Sequence, residues 1–173
     1  MVGKAVYALC AIVVVAGCGA QDQSNQVDST NSLMPSAETR TGASEALALM
    51  KERHEHMETL GDETKRISNQ LKSATPEIEQ IRRSAAIIAQ RAPDLVSWFP
   101  AGTGPDIGKT RAKAEIWQTP DDYATKANDF VRAAEDFDSA AKSGDLGQIE
   151  SSFAALGKTC KACHDRYRAP EKD

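Results

Sequence analysis

From Tyr123 to Tyr167 apolar residues return in alternating steps of four and three, interrupted once, at Gly144: Tyr123, Ala127, Phe130, Ala134, Phe137 and Ala141, then Leu146, Ile149, Phe153, Leu156, Cys160, Cys163 and Tyr167. Steps averaging 3.5 residues keep side chains on one face of an α-helix. Two such stripes in succession can be covered only by packing on each other and on further helices at a shallow angle. The punctuation agrees. Thr119 and Pro120, followed by Asp121 and Asp122, suit a helix start; Gly144 suits a stop; and Asp145 with Gln148 has the spacing of a capping box.

Upstream, the same period predicts a first helix from about Ala43 toward Lys72, with Ala46, Met50, Arg53 or His54, Met57, Leu60, Thr64, Ile67 and Leu71 inward and Gly61 a point of loosening. A second helix is expected to open on Thr75 as N-cap with Pro76 in its first turn, bury Ile78, Ile81, Ala85 and Ile88, and stop before Pro93. The stretch from Pro93 to Pro120 is far longer than an ordinary connection and holds both tryptophans, Trp98 and Trp117, which need something to pack on. It reads as a strap across one end of the bundle. No alternating stretch suggests a strand. The expected fold is therefore all-α, an antiparallel four-helix bundle with a long crossover loop between helices 2 and 3.

Residues 1–17 have the layout of a secretory signal peptide: a single cation at Lys4, an apolar run too short to cross roughly 30 Å of hydrocarbon, then small residues. Val15-Ala16-Gly17-Cys18 resembles a bacterial lipobox, which makes Cys18 the expected lipidation site and places the mature chain on the periplasmic side of a membrane, held by acyl chains; the alternative is an ordinary cleaved signal and a soluble periplasmic chain. Residues 18–41 are rich in Gln, Ser, Asn and Thr and read as a flexible polar tether. Residues 42–173 have the length of one domain. With 21 basic against 25 acidic residues and no basic stripe, nucleic acid is not an expected partner.

The chemistry lies in Thr159-Cys160-Lys161-Ala162-Cys163-His164-Asp165-Arg166-Tyr167-Arg168. A zinc site needs four ligands, and the other histidines, His54 and His56, stand about a hundred residues upstream. A thioredoxin-like redox pair sits at a helix N-terminus, where the dipole lowers a thiol pKa; these thiols come late in a helix. Cys-x-x-Cys-His as c-type haem attachment uses every residue at its spacing. In that reading Cys160 and Cys163 form the thioethers and His164 is the proximal iron ligand.

A helical bundle ending in Cys-Lys-Ala-Cys-His-Asp-x-Tyr-Arg, with Trp-Phe-Pro and Ala-Glu-Ile-Trp in its crossover, resembles the class II c-type cytochromes, the cytochrome c-prime family. The resemblance runs from about Leu47 onward. It implies one covalent haem c held by Cys160, Cys163 and His164, with Arg168 beside a haem propionate. Leu49-Met50-Lys51 and the later Leu60-Gly61 are similar to the low-spin branch of the family, which implies Met50 as the distal ligand, with His54 one turn on as the rival. His56 is expected to face solvent and Met57 the core. On that basis the expected function is a lipid-tethered electron carrier with a His/Met-ligated haem, serving redox partner proteins and performing no enzymatic step. The alternative is a pentacoordinate cytochrome c-prime that binds nitric oxide or carbon monoxide, with Met50 a spacer. A haem-free bundle with Cys160 and Cys163 in a disulfide is the structural alternative. Helices 1 and 2 could also form a homodimer face, as in many relatives, although Lys65, Arg66, Arg82 and Arg83 crowd it.

Overall fold

The computed structural model describes residues 37–171; the expected signal peptide, Cys18 and most of the tether lie outside the described residues. Four long helices form the bundle: α1 (Ala37–Leu71), α2 (Ile78–Arg91), α4 (Pro120–Ser143) and α5 (Leu146–Tyr167). The crossover between α2 and α4 opens with a 3-10 turn at Ala92–Asp94 and closes with the single-turn helix α3 (Glu115–Gln118).

The sequence pattern locates the bundle, and the starts of α1 and α2 differ from it. α1 begins at Ala37, inside the expected tether, and continues unbroken past Gly61. Residues 37–45 carry no large apolar group, so they leave no trace in a hydrophobic period, yet most are compatible with a helix. α2 begins at Ile78 instead of Pro76, and Glu77 takes the cap position without a side-chain cap bond. Gln70 of α1 organises this turn: its Oε1 accepts the Glu77 N–H at 2.9 Å and its Nε2 donates to Gln80 Oε1 at 2.8 Å. Thr75 and Pro76 stay in the turn.

The second hairpin follows the pattern closely. All six stripe residues of α4 are buried. Gly144 has φ of 77°, the left-handed conformation that ends a helix, and Asp145 Oδ1 accepts the Gln148 N–H at 2.9 Å to open α5. On α5, Ile149, Leu156 and Tyr167 are buried, Phe153, Cys160 and Cys163 half-buried, and Leu146 exposed.

Ile67 of α1, Ile81 and Ile88 of α2, Phe137 of α4, and Ile149 and Leu156 of α5 are almost completely excluded from solvent, so every long helix contributes to one core. A smaller cluster of Ile116, Tyr123 and Tyr167, with Trp117, Ala112 and Cys163 against it, joins α3, α4 and the end of α5. Phe99 packs against both clusters. Along the bundle α1 lies on α2, α2 on α4, and α4 on α5, whereas α1 and α5 make no comparable contact.

Candidate functional site

Tyr167 fixes the end of α5. Four residues beyond Cys163 on the inward stripe, its ring is buried edge-on to Tyr123 at 5.4 Å between centroids. Its hydroxyl donates to Asp122 Oδ2 at 2.5 Å and lies 2.9 Å from Thr119 Oγ1, whose residue stands at the N-cap of α4. The crossover clasps the same end from outside. Lys113 N–H donates to Tyr167 O at 2.9 Å and Ala169 N–H to Arg111 O at 2.7 Å, a two-sided antiparallel pairing around Ala112 and Arg168. Lys113 Nζ adds a bond to Arg166 O at 2.9 Å.

This clasp presents Cys160, Cys163 and His164 in the last two turns of α5. Cys160 packs on the large core and Cys163 on the aromatic cluster, and neither is in a disulfide. Burial raises the pKa of both thiols; at Cys163 burial, reinforced by Cys160, pushes it up to about 11. They remain protonated near neutral pH, the reverse of what thiolate redox or zinc chemistry uses. His164 is exposed but partly desolvated by the surface around it, and Arg168 and Arg111 repel a second positive charge. These effects lower its pKa and favour the neutral imidazole, the form that ligates a metal. Arg168 closes α5 through its N–H to His164 O at 3.0 Å.

On α1 the arrangement departs from expectation. Met50 is buried, yet it belongs to neither cluster that receives the thiols. It lies beneath the crossover: a Cβ on Gly108 would stand 3.4 Å from Met50 Cε, 3.7 Å from Met50 Sδ and 2.6 Å from Leu47 Cδ2. His54, the rival ligand, points to solvent, its side chain 73% exposed and 3.3 Å from Glu58. The inward position belongs to Arg53. His56, expected to face solvent, is half-buried instead: its ring stacks on Trp98 at 4.6 Å and its Nδ1 is 3.1 Å from Arg91 Nη1. Arg53 and its partners in the crossover, Thr103 and Thr110, are the site-side residues that sequence reasoning did not single out; only the 53-or-54 ambiguity in the stripe pointed toward them.

The residues present suit a flat group tethered through two sulfurs. Both thiols are free, lie on one inward stripe with one against each cluster, and have beside them an imidazole that favours its neutral form; α1 and α5, the first and last long helices, do not close on each other as the consecutive long helices do.

Residues 48–168 match the family model described as Cytochrome C'. A cytochrome c' of Pararhodospirillum photometricum is 35% identical over 121 residues, 70% of this chain and 96% of the relative. Among solved structures, a cytochrome c' with an unusual ligand-controlled dimer dissociation superposes with a TM-score of 0.68 at 27% identity, covering 72% of this chain and 97% of the other. A nitric oxide complex of a mutant cytochrome c prime from Alcaligenes xylosoxidans gives 0.65 at 25% identity, over 72% of this chain and 97% of the other. These findings overturn the expected low-spin branch and, with it, the His/Met-ligated electron carrier. The packing of Met50 against Gly108 gives the physical reason: its thioether fills the space under the crossover. The chain belongs to the cytochrome c' family, haem proteins with covalently bound haem c that are not enzymes.

Proposed function

We propose that this protein binds a diatomic gas, nitric oxide or carbon monoxide, at a haem held by Cys160 and Cys163, with His164 as the only protein ligand of the iron. When bound, the haem supplies an open coordination position and a one-electron couple. The chain's part is to hold and to exclude. Cys160 and Cys163 fix the group from both clusters, the clasp around Tyr167 holds His164 in register, and Arg168 with Arg111 offers positive charge to a propionate carboxylate.

The observation that carries the reading is that neither expected sixth ligand meets the clusters that receive the thiols: Met50 is packed beneath Gly108 and His54 is in solvent. The nitric oxide complex of the relative from Alcaligenes xylosoxidans supports it. The test is a visible spectrum of the holoprotein. A broad high-spin ferric pattern, unchanged in Met50→Ala, together with nitric oxide uptake by the ferrous form, is the expected result. A sharp low-spin pattern with a methionine-to-iron band that vanishes in Met50→Ala overturns the reading. A pyridine haemochrome assay reports covalent attachment, which is lost in Cys160→Ser/Cys163→Ser.

No helix among the described residues is long and apolar enough to cross a membrane. We also propose that lipid on Cys18 tethers the chain on the periplasmic side, tested by labelled fatty-acid incorporation that disappears in Cys18→Ala. A redox partner protein would return the iron to the ferrous state. Pairing of two copies through α1 and α2 is proposed from the dimer of the relative and is read by sedimentation with and without carbon monoxide.

A further inference from the structure

Arg53 is the only buried cation among the described residues. Its Nη1 donates to Thr103 Oγ1 at 2.9 Å, and its Nη2 donates to Thr103 O at 3.0 Å and to Thr110 Oγ1 at 3.4 Å. No carboxylate among the described residues pairs with it. The guanidinium instead lies 4.6 Å from the Phe99 ring centroid and 5.8 Å from that of Trp117. Phe99 stands 5.2 Å from Tyr123, and Tyr123 belongs to the cluster against which Phe99, Trp117 and Cys163 all pack.

Hydroxyls, a carbonyl and aromatic faces compensate a buried charge only in part. A neutral amide could hold the two threonines at smaller desolvation cost, so fastening the crossover does not by itself call for a permanent charge. The guanidinium stays protonated wherever the protein folds. Because Phe99 and Trp117, which it faces, pack against the same aromatic cluster as Cys163, its field falls on whatever that thiol holds, in surroundings of low dielectric where such a field is weakly screened.

We infer that Arg53 is a positioning residue of electrostatic kind, a fixed positive charge that biases the haem iron toward its ferrous state. The inference rests on haem attachment at Cys160 and Cys163. Ferric iron carries one more positive charge than ferrous, so a nearby cation disfavours oxidation and raises the potential. Arg53 thereby holds the iron in the form that binds carbon monoxide.

Potentiometric titration of the holoprotein tests this. At a fixed poise, Arg53→Met is expected to lower the ferrous-to-ferric ratio about tenfold, a shift of about 59 mV for one electron. Arg53→Lys keeps the charge and is expected to stay within about threefold of the parent, ~28 mV. Thr103→Val loosens the fastening without touching the charge; its unfolding midpoint should fall while its potential stays within the same range. A methionine variant that matches the parent, or a lysine variant that falls as far as the methionine one, overturns the inference. If Arg53→Met takes up no haem, Arg53→Lys decides by the same criterion. Failure of the parent to attach haem, seen first by pyridine haemochrome, is a failure of the attachment reading instead.

Discussion

The Asp122 carboxyl is held below the usual carboxylate range, first by the hydrogen bond from Tyr167 and then by Arg166 and Lys126. A carboxyl depressed in the folded state adds stability that is fully present above its unfolded value, about 4, and is lost as pH falls through the lower folded value. Asp122→Asn should therefore be less stable than the parent at neutral pH and lose less on acidification, as read from urea midpoints across that window. At this scale the sequence was partly legible. Cys160, Cys163 and His164 stand out because their spacing is itself the signal. On α1 the period allowed position 53 or 54, since Met50 to Met57 can be divided as three and four or as four and three. Ligand chemistry pointed to His54, but packing selected Arg53, because its partners Thr103 and Thr110 come from a loop that no period describes.

Among the elements, α4 was the most legible because alanines alternate with rings along it: the small residues let neighbouring helices approach and the rings fill the space between. Phe137→Ala, at the centre of the core, should cost about 3–5 kcal/mol by urea unfolding. Gly144→Ala should cost about 1–2 kcal/mol through its left-handed conformation. The new Cβ would also lie 3.0 Å from Arg82 Nη2, which donates to Lys142 O in the last turn of α4. The starts of α1 and α2 were less legible for opposite reasons. Residues 37–45 form helix without an apolar signature, and Thr75-Pro76 carries the signature of a start while Gln70 holds the turn that displaces it.

For the whole molecule, the bundle and its order could be read from the stripes, and the strap could be read only as a length. That it returns to the end of α5 depends on backbone bonds of Lys113 to Tyr167 and of Ala169 to Arg111, which carry no residue code. Haem-free Cys160→Ser/Cys163→Ser protein should keep slow amide exchange in α2, α4 and the Ile149–Leu156 part of α5. The first half of α1 should exchange faster than in the holoprotein, as measured by mass spectrometry. Comparable protection in both forms would mean that the α1 wall closes without the group.

Of the long helices, α2 and α4 each have a helical neighbour on two sides, whereas α1 leans on α2 alone and is otherwise fastened to the crossover, through Arg53, through the His56 ring on Trp98 and through Met50 at Gly108. It behaves as a door hung on one jamb and latched only to the strap. A molecule pressing outward against α1 from the interior would be resisted by one helix and by that strap, and by no second helix.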